Sequence, residues 1–207
     1  MKANPVKNVV IVGGGTAGWM AAAAISKLIG KNINVKLVES DAIGTVGVGE
    51  ATIPTMLTLH KLLKIDERDF MAAVQGTFKL GISFENWKNV DENYIHSFGF
   101  TGKDCWAAGF QHFWLKGKQQ GISGEFGDYC NELQAAKNNK FAVLPNNGMN
   151  YAFHMDAGLY AKYLRKIAEQ HGCQRIEGKI SDVITDSDTG CIERVILESG
   201  QAIEGDL

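Results

Sequence analysis

The chain has 207 residues, 45% of them hydrophobic and 21% charged, with a formal net charge of -2. That length can bury a core for one or two domains, and so small a charge excludes a strongly basic nucleic-acid surface or a polybasic membrane face. Four cysteines, Cys105, Cys130, Cys173 and Cys191, are too scattered for a CxxC pair, which excludes a zinc or disulfide framework and leaves reduced thiols.

The first residues run from Met1 to Lys7 without a signal-peptide layout, so a cytoplasmic protein is expected. The apolar run Val9-Val10-Ile11-Val12 predicts a strand, Gly13-Gly14-Gly15-Thr16-Ala17-Gly18 follows it, and a helix opens there. Residues 9 to 30 are apolar, but three successive glycines and a strand-to-helix switch argue against a membrane span. Ala17, Met20 or Ala21, Ala24 and Leu28 are expected to face the sheet. A second strand runs from Ile33 to Val38 and closes on an acid, Glu39.

A GxGxxG between strand and helix, with an acid about 20 residues on, is the dinucleotide fingerprint. Gly13 permits the tight turn, Gly15 lets the backbone approach a pyrophosphate, and Gly18 lets helix and strand pack closely. Helix N–H groups would face the phosphates, and Glu39 would accept hydrogen bonds from ribose hydroxyls while repelling a 2′-phosphate.

Next comes a glycine loop from Asp41 to Pro54, in which Thr52 is expected to cap a helix carrying Met56, Leu59 or His60, and Leu63. Residues 66 to 88 predict a second helix with Phe70, Val74 and Phe78 on one face and a break near Gly76 or Gly81. Residues 89 to 150 are aromatic and poorly periodic, which predicts binding loops and pocket walls. Trp106, Phe110, Phe113 and Trp114 could line such a wall, but their helical spacing favours a core stripe. A clear helix over 157–171 follows, with Asp156 as N-cap, a stripe of Tyr160, Leu164 and Ile167 or Ala168, and Gly172 as its stop. Residues 175–186, 191–199 and 201–207 predict an antiparallel meander. His60, His112, His154 and His171 lack metal-ligand spacing, so no metal site is expected.

Three segments resemble the flavin-dependent halogenases typified by tryptophan halogenases: Gly13 to Trp19, Gly47-Val48-Gly49-Glu50-Ala51-Thr52-Ile53-Pro54, and Phe78-Lys79-Leu80-Gly81-Ile82. The second segment is the most discriminating. The resemblance spans the chain and implies an α/β, Rossmann-like FAD-binding fold of the glutathione-reductase type with an antiparallel meander crossover. It also implies a fold incomplete at the C-terminus, because family members are longer and the W-x-W-x-I-P signature is absent. In this reading residues 1–88 hold the dinucleotide-binding βαβ unit and the halide and flavin loop, 89–150 a substrate-proximal insertion, and 151–207 the helix and meander.

The resemblance further implies FAD, as FADH2, bound by Gly13, Gly15, Thr16, Ala17, Gly18, Glu39, Gly47, Gly49, Glu50 and Ala51. A separate flavin reductase would supply it, O2 would react with it, and a halide ion would be oxidised to hypohalous acid. The oxidising equivalent would pass through an internal passage to Lys79, which presents it to an electron-rich aromatic substrate such as indole or tryptophan. Lys79 could act as an ammonium donor to hypohalous acid or as a neutral amine forming a haloamine. Glu50 could equally be a helix-start acid. His96 and Phe98 resemble the H-x-F pair that sandwiches an indole, although Tyr94 to Phe98 also read as an ordinary alternating strand. The rival readings are a flavin monooxygenase that hydroxylates the ring and a nucleotide-binding fragment without activity.

Overall fold

A computed structural model describes residues 5–44, 49–143 and 148–207. In chain order the elements are β1 (Asn8–Val12), α1 (Thr16–Ile29), β2 (Asn34–Glu39), β3 (Gly49–Ala51), α2 (Thr55–Leu62), α3 (Glu67–Val74), β4 (Thr77–Lys79), β5 (Gly81–Glu85) and β6 (Asn93–Ser97). They continue with α4 (Phe110–Gln119), α5 (Asn131–Lys137), β7 (Ala152–Asp156), α6 (Ala157–Gln170), β8 (Gln174–Glu177), β9 (Ile180–Thr185), β10 (Ile192–Leu197) and β11 (Ala202–Glu204). Two units result: Met1–Glu50 with Leu59–Gly76 and Met155–Leu207, and Ala51–Thr58 with Thr77–His154. The segment 1–88 is thus shared, with Lys79 grouping with the residues that follow it.

The first unit has the expected α/β, Rossmann-like core. β2 lies between β1 and β8, parallel to both, with Val9 opposite Val35 and Leu37 opposite Arg175. The β-branched run of β1 suits a pleated, covered surface. β9, β10 and β11 form the expected antiparallel meander, and Val195, Leu197 and Ile203 bury themselves with Val38. The meander is shorter than expected at its start. Gly178 adopts φ +159, its N–H donates to Glu39 O at 2.9 Å, and the residues before it join the parallel sheet as β8.

Helix α1 packs on α6 through small residues, which let the two backbones approach. Its buried face is Trp19, Ala22, Ala23 and Ser26, which corrects the expected stripe ending in Leu28, a residue left exposed. The motif tryptophan sets this rotation, because its large ring is the one that must leave water. In α6 the expected stripe is present as Tyr160, Leu164 and Ala168, and the Asp156 carboxylate accepts from Leu159 N at 2.7 Å.

Helix α3 starts where Asp66 caps the amides of Arg68 and Asp69, buries Phe70 and Val74, and stops at Val74. Gln75 enters the left-handed region at φ 53, which places the expected break at Gly76, and the residues beyond it form β4 and β5 where a continuing helix to 88 is expected. Thr52 is no helix cap either; its hydroxyl bonds the backbone of Phe153, and α2 begins at Thr55.

His60 and Tyr160 meet in the first unit, with Nε2 to Oη at 3.0 Å and the Phe70 ring edge-on to the imidazole. Burial holds the imidazole neutral, its pKa pushed down from 6.5 to about 4. The unfolded chain therefore binds more protons than the native chain in that window, and stability present above pH 6.5 is lost as pH falls toward 4. Denaturant titrations at pH 7 and pH 4 should show wild type losing about 3 kcal/mol more than His60→Gln. Equal losses would remove His60 as the cause.

In the second unit β4 pairs antiparallel with β7, Lys79 lying opposite Ala152, and β5 pairs with β6, Gly81 lying opposite Ser97. Phe78, Phe141, Tyr151 and Phe153 cluster beside β4. The 89–150 stretch carries β6, α4 and α5, more regular structure than its sequence period suggests. The expected core role of Trp106, Phe110, Phe113 and Trp114 is corrected in part: Trp106 is 99% exposed and Phe113 51%, whereas Phe110 and Trp114 are half-buried against Phe126. Trp106 precedes α4, so it never joins a helical stripe. No helix among the described residues is long and apolar enough to cross a membrane.

Candidate functional site

The glycine turn after β1 opens onto a cavity of about 650 Å³ in the first unit, a size suited to a small organic ligand. Gly13 to Ala17 form one wall, and Glu39, Glu50 and residues 178–180 contribute others. Each glycine has a separate steric reason. Gly13 holds φ +106, and its N–H donates to Val38 O at 2.9 Å. A Cβ on Gly18 would lie 1.9 Å from Gly13 O, so helix and turn can pack only without one. A Cβ on Gly15 would meet no protein atom within 4 Å and would project into open space.

Gly15 is also the N-cap of α1, which has no side-chain cap and no acid in its first turn. The amides of Thr16, Ala17 and Gly18 have no carbonyl partner inside the helix. These donors, at the positive end of the helix dipole, suit an anionic diphosphate. Thr16 Oγ1 instead donates to Ala157 O at 3.4 Å, which ties the turn to α6.

Glu39 ends β2 on the cavity wall and is held on both oxygens. Oε1 accepts from Arg175 Nε at 2.5 Å, and Oε2 accepts from Trp19 Nε1 at 3.2 Å. Glu50 is exposed on the same wall. Gly49 opens β3, while Ala51 belongs to the second unit and is exposed. Gly47 lies outside the described residues. Among the described residues no cluster of His, Cys, Asp and Glu could hold a metal ion.

The second unit holds Lys79 at the end of β4, only 7% exposed. Its Nζ donates to Thr52 O at 3.0 Å and stands 5.4 Å from the centroid of the Phe98 ring. Burial lowers the pKa of this ammonium below the ordinary lysine value. Phe98 is brought to it by backbone: Phe98 N donates to Leu80 O at 2.8 Å, just past the amine's own residue. Gly81 allows that approach, because a Cβ there would lie 2.6 Å from His96 O. His96 is exposed and lines a different cavity of about 710 Å³, with Tyr94, Phe126, Cys130 and Leu133 among its walls. Lys79 and Phe98 therefore meet directly, whereas His96, two residues before Phe98, lines that second cavity.

Sequence reasoning missed Arg175, Trp19 as a side-chain donor, the carbonyl of Thr52, and the 178–180 wall. Arg175 is 136 residues from Glu39, and only the β2–β8 register joins them. The motif tryptophan, four residues past Gly15, was the one signal available from sequence.

The family model described as tryptophan halogenase matches residues 8–207. The chain is 33% identical to the 7-chloro-L-tryptophan 6-halogenase KtzR of Kutzneria sp. (strain 744), over 96% of this chain and 43% of the relative. It is 32% identical to the tryptophan 7-halogenase RebH of Lentzea aerocolonigenes, over 98% of this chain and 41% of the relative. Among solved structures it is similar to Xcc4156, a flavin-dependent halogenase from Xanthomonas campestris, at 62% identity and a TM-score of 0.94, covering 99% of this chain and 41% of that one. BrvH, a flavin-dependent halogenase from Brevundimonas sp. BAL3, follows at 38% identity and a TM-score of 0.87, with 98% and 41% covered. The chain thus spans about two fifths of the length of these relatives.

Proposed function

Because the chain belongs to the tryptophan halogenase family, we propose that it carries the FAD-binding and lysine-bearing part of an enzyme that halogenates an electron-rich aromatic ring, indole or tryptophan-like. The observation that supports this most strongly is the buried Lys79 amine, held by Thr52 O beneath the Phe98 ring. An uncapped α1 terminus over an open glycine turn fits the diphosphate of FAD. When bound and reduced by a separate reductase, the flavin would supply the electrons that activate O2 and thereby oxidise a halide ion to hypohalous acid. A cytoplasmic setting belongs to the same proposal.

In this reading Gly13, Gly15, Thr16, Ala17, Gly18, Glu39, Gly47, Gly49, Glu50 and Ala51 bind the cofactor, and His96 and Phe98 present flat faces to the substrate. Lys79 rests as an ammonium, since a carbonyl acceptor and an aromatic face both favour the cation. One N–H is committed to Thr52 O, which leaves two for the oxygen of hypohalous acid. The ring carbon attacks the halogen, the halogen–oxygen bond breaks, and the oxygen leaves as water with the Lys79 proton. Loss of the ring proton to the amine restores both the arene and the ammonium.

The test is mass spectrometry of indole and tryptophan incubated with the protein, FAD, a flavin reductase, NADH and bromide. A product carrying the bromine isotope pair is expected. A product heavier by one oxygen would instead support the monooxygenase. The same assay has a predicted pH dependence. Bromination should fall as pH rises through the lowered Lys79 pKa, at a midpoint below that of a free lysine side chain, because the ammonium is the donor form. A rate that climbs over this range would favour the haloamine route.

A further inference from the structure

We propose that Arg175, assisted by Trp19, is a positioning residue that locks the Glu39 carboxylate for recognition of the adenosine ribose. The inference rests on the FAD reading above and adds residues that reading does not use.

The Glu39 side chain is 16% exposed and the Arg175 side chain 14%, so this pair stands largely out of water. Arg175 Nε donates to Glu39 Oε1 at 2.5 Å, and Trp19 Nε1 donates to Oε2 at 3.2 Å. The Arg165 guanidinium adds a longer contact of 3.8 Å to Oε1 and stacks over the Trp19 ring. Arg175 is itself fixed from the other side by Asp41 at 2.5 Å and by Glu177. Glu177 in turn accepts from Asp41 N at 2.9 Å, and Gly178 N bonds Glu39 O, so the ends of β2 and β8 are clamped. The carboxylate lies over the glycine turn so closely that a Cβ on Gly14 would be 1.3 Å from Oε2.

A carboxylate has about four acceptor positions, and the two close donors take one on each oxygen. One remains on each, the number needed by the two hydroxyls of a ribose. A free glutamate would lose rotamer freedom on binding; this one is already ordered, so the ligand meets a prepared acceptor.

The experiment is calorimetric titration with ADP and with 2′,3′-dideoxy-ADP, which lacks both ribose hydroxyls. Wild type should prefer ADP by about tenfold to a hundredfold, as expected for hydrogen bonds to a charged group. Arg175→Met should weaken ADP about tenfold and leave the dideoxy ligand nearly unchanged, so the preference collapses. Trp19→Phe, which keeps a ring and removes only the N–H donor, should reduce the preference in the same direction, and it serves if Arg175→Met folds poorly by thermal unfolding. Variants that weaken both ligands by one common factor, or keep the wild-type preference, would overturn the inference. Wild type that binds FAD yet does not distinguish the two ligands would overturn it while leaving the FAD reading intact. Wild type that binds neither FAD nor ADP would remove both.

Discussion

Gly15→Ala and Gly18→Ala, three residues apart in one turn, are expected to fail in opposite ways. The Gly18 methyl would sit 1.9 Å from the Gly13 carbonyl oxygen, a backbone atom that cannot rotate aside. Relief requires α1 to move off the turn, at a cost at or above the top of the usual overpacking range, about 3 kcal/mol. The Gly15 methyl meets no protein atom within 4 Å, and the residue's φ of -72 suits alanine, so stability should stay within about 0.5 kcal/mol of wild type. That methyl instead occupies the space in which a diphosphate would approach the helix amides, and FAD affinity should fall about tenfold or more. Denaturant midpoints and FAD titrations on both variants separate the two roles. A Gly15→Ala protein with wild-type affinity would remove the turn from the binding surface.

Lys79→Met should lower bromination about 10³-fold, the usual scale for loss of a positioned proton donor. Lys79 is not among the residues lining the nucleotide cavity, so FAD titrations should match wild type. Folding provides a second readout. Burial lowers the native pKa of Lys79 below that of the unfolded chain, so the unfolded state binds the proton more tightly. The cost of burying the ammonium is full below the native pKa and disappears as pH rises through the native and then the unfolded pKa. Stability of wild type relative to Lys79→Met should therefore improve on raising the pH toward that of a free lysine. A flat difference would mean that the amine is solvated.

The first unit was largely legible because its signals are local. A β-branched run, a glycine turn and an acid at the next strand end predicted β1, α1 and β2, and Asp156 with the Tyr160, Leu164 and Ala168 stripe predicted α6. Errors fell where a single backbone position overrode a side-chain period. Gln75 turns left-handed and converts the expected helix through Phe78 into strand, so Lys79 stands on β4 beside Thr52 O. Gly178 divides one expected strand into a parallel and an antiparallel piece. Helical spacing grouped Trp106 and Phe113 with Phe110 and Trp114, yet the first two are exposed, because period alone carries no information on what lies opposite. The clamp on Glu39 was invisible for the same reason, since Arg175 reaches it through sheet register across 136 residues.

The most direct measurement counts bromine incorporated into indole per flavin reoxidised, on wild type and Lys79→Met side by side under one reductase feed. Wild type is predicted to yield brominated indole, and the variant to reoxidise flavin at an undiminished rate with the ratio down about 10³-fold. An unchanged ratio, or a parallel fall in product and flavin turnover, would contradict the proposal that Lys79 activates hypohalous acid toward the ring.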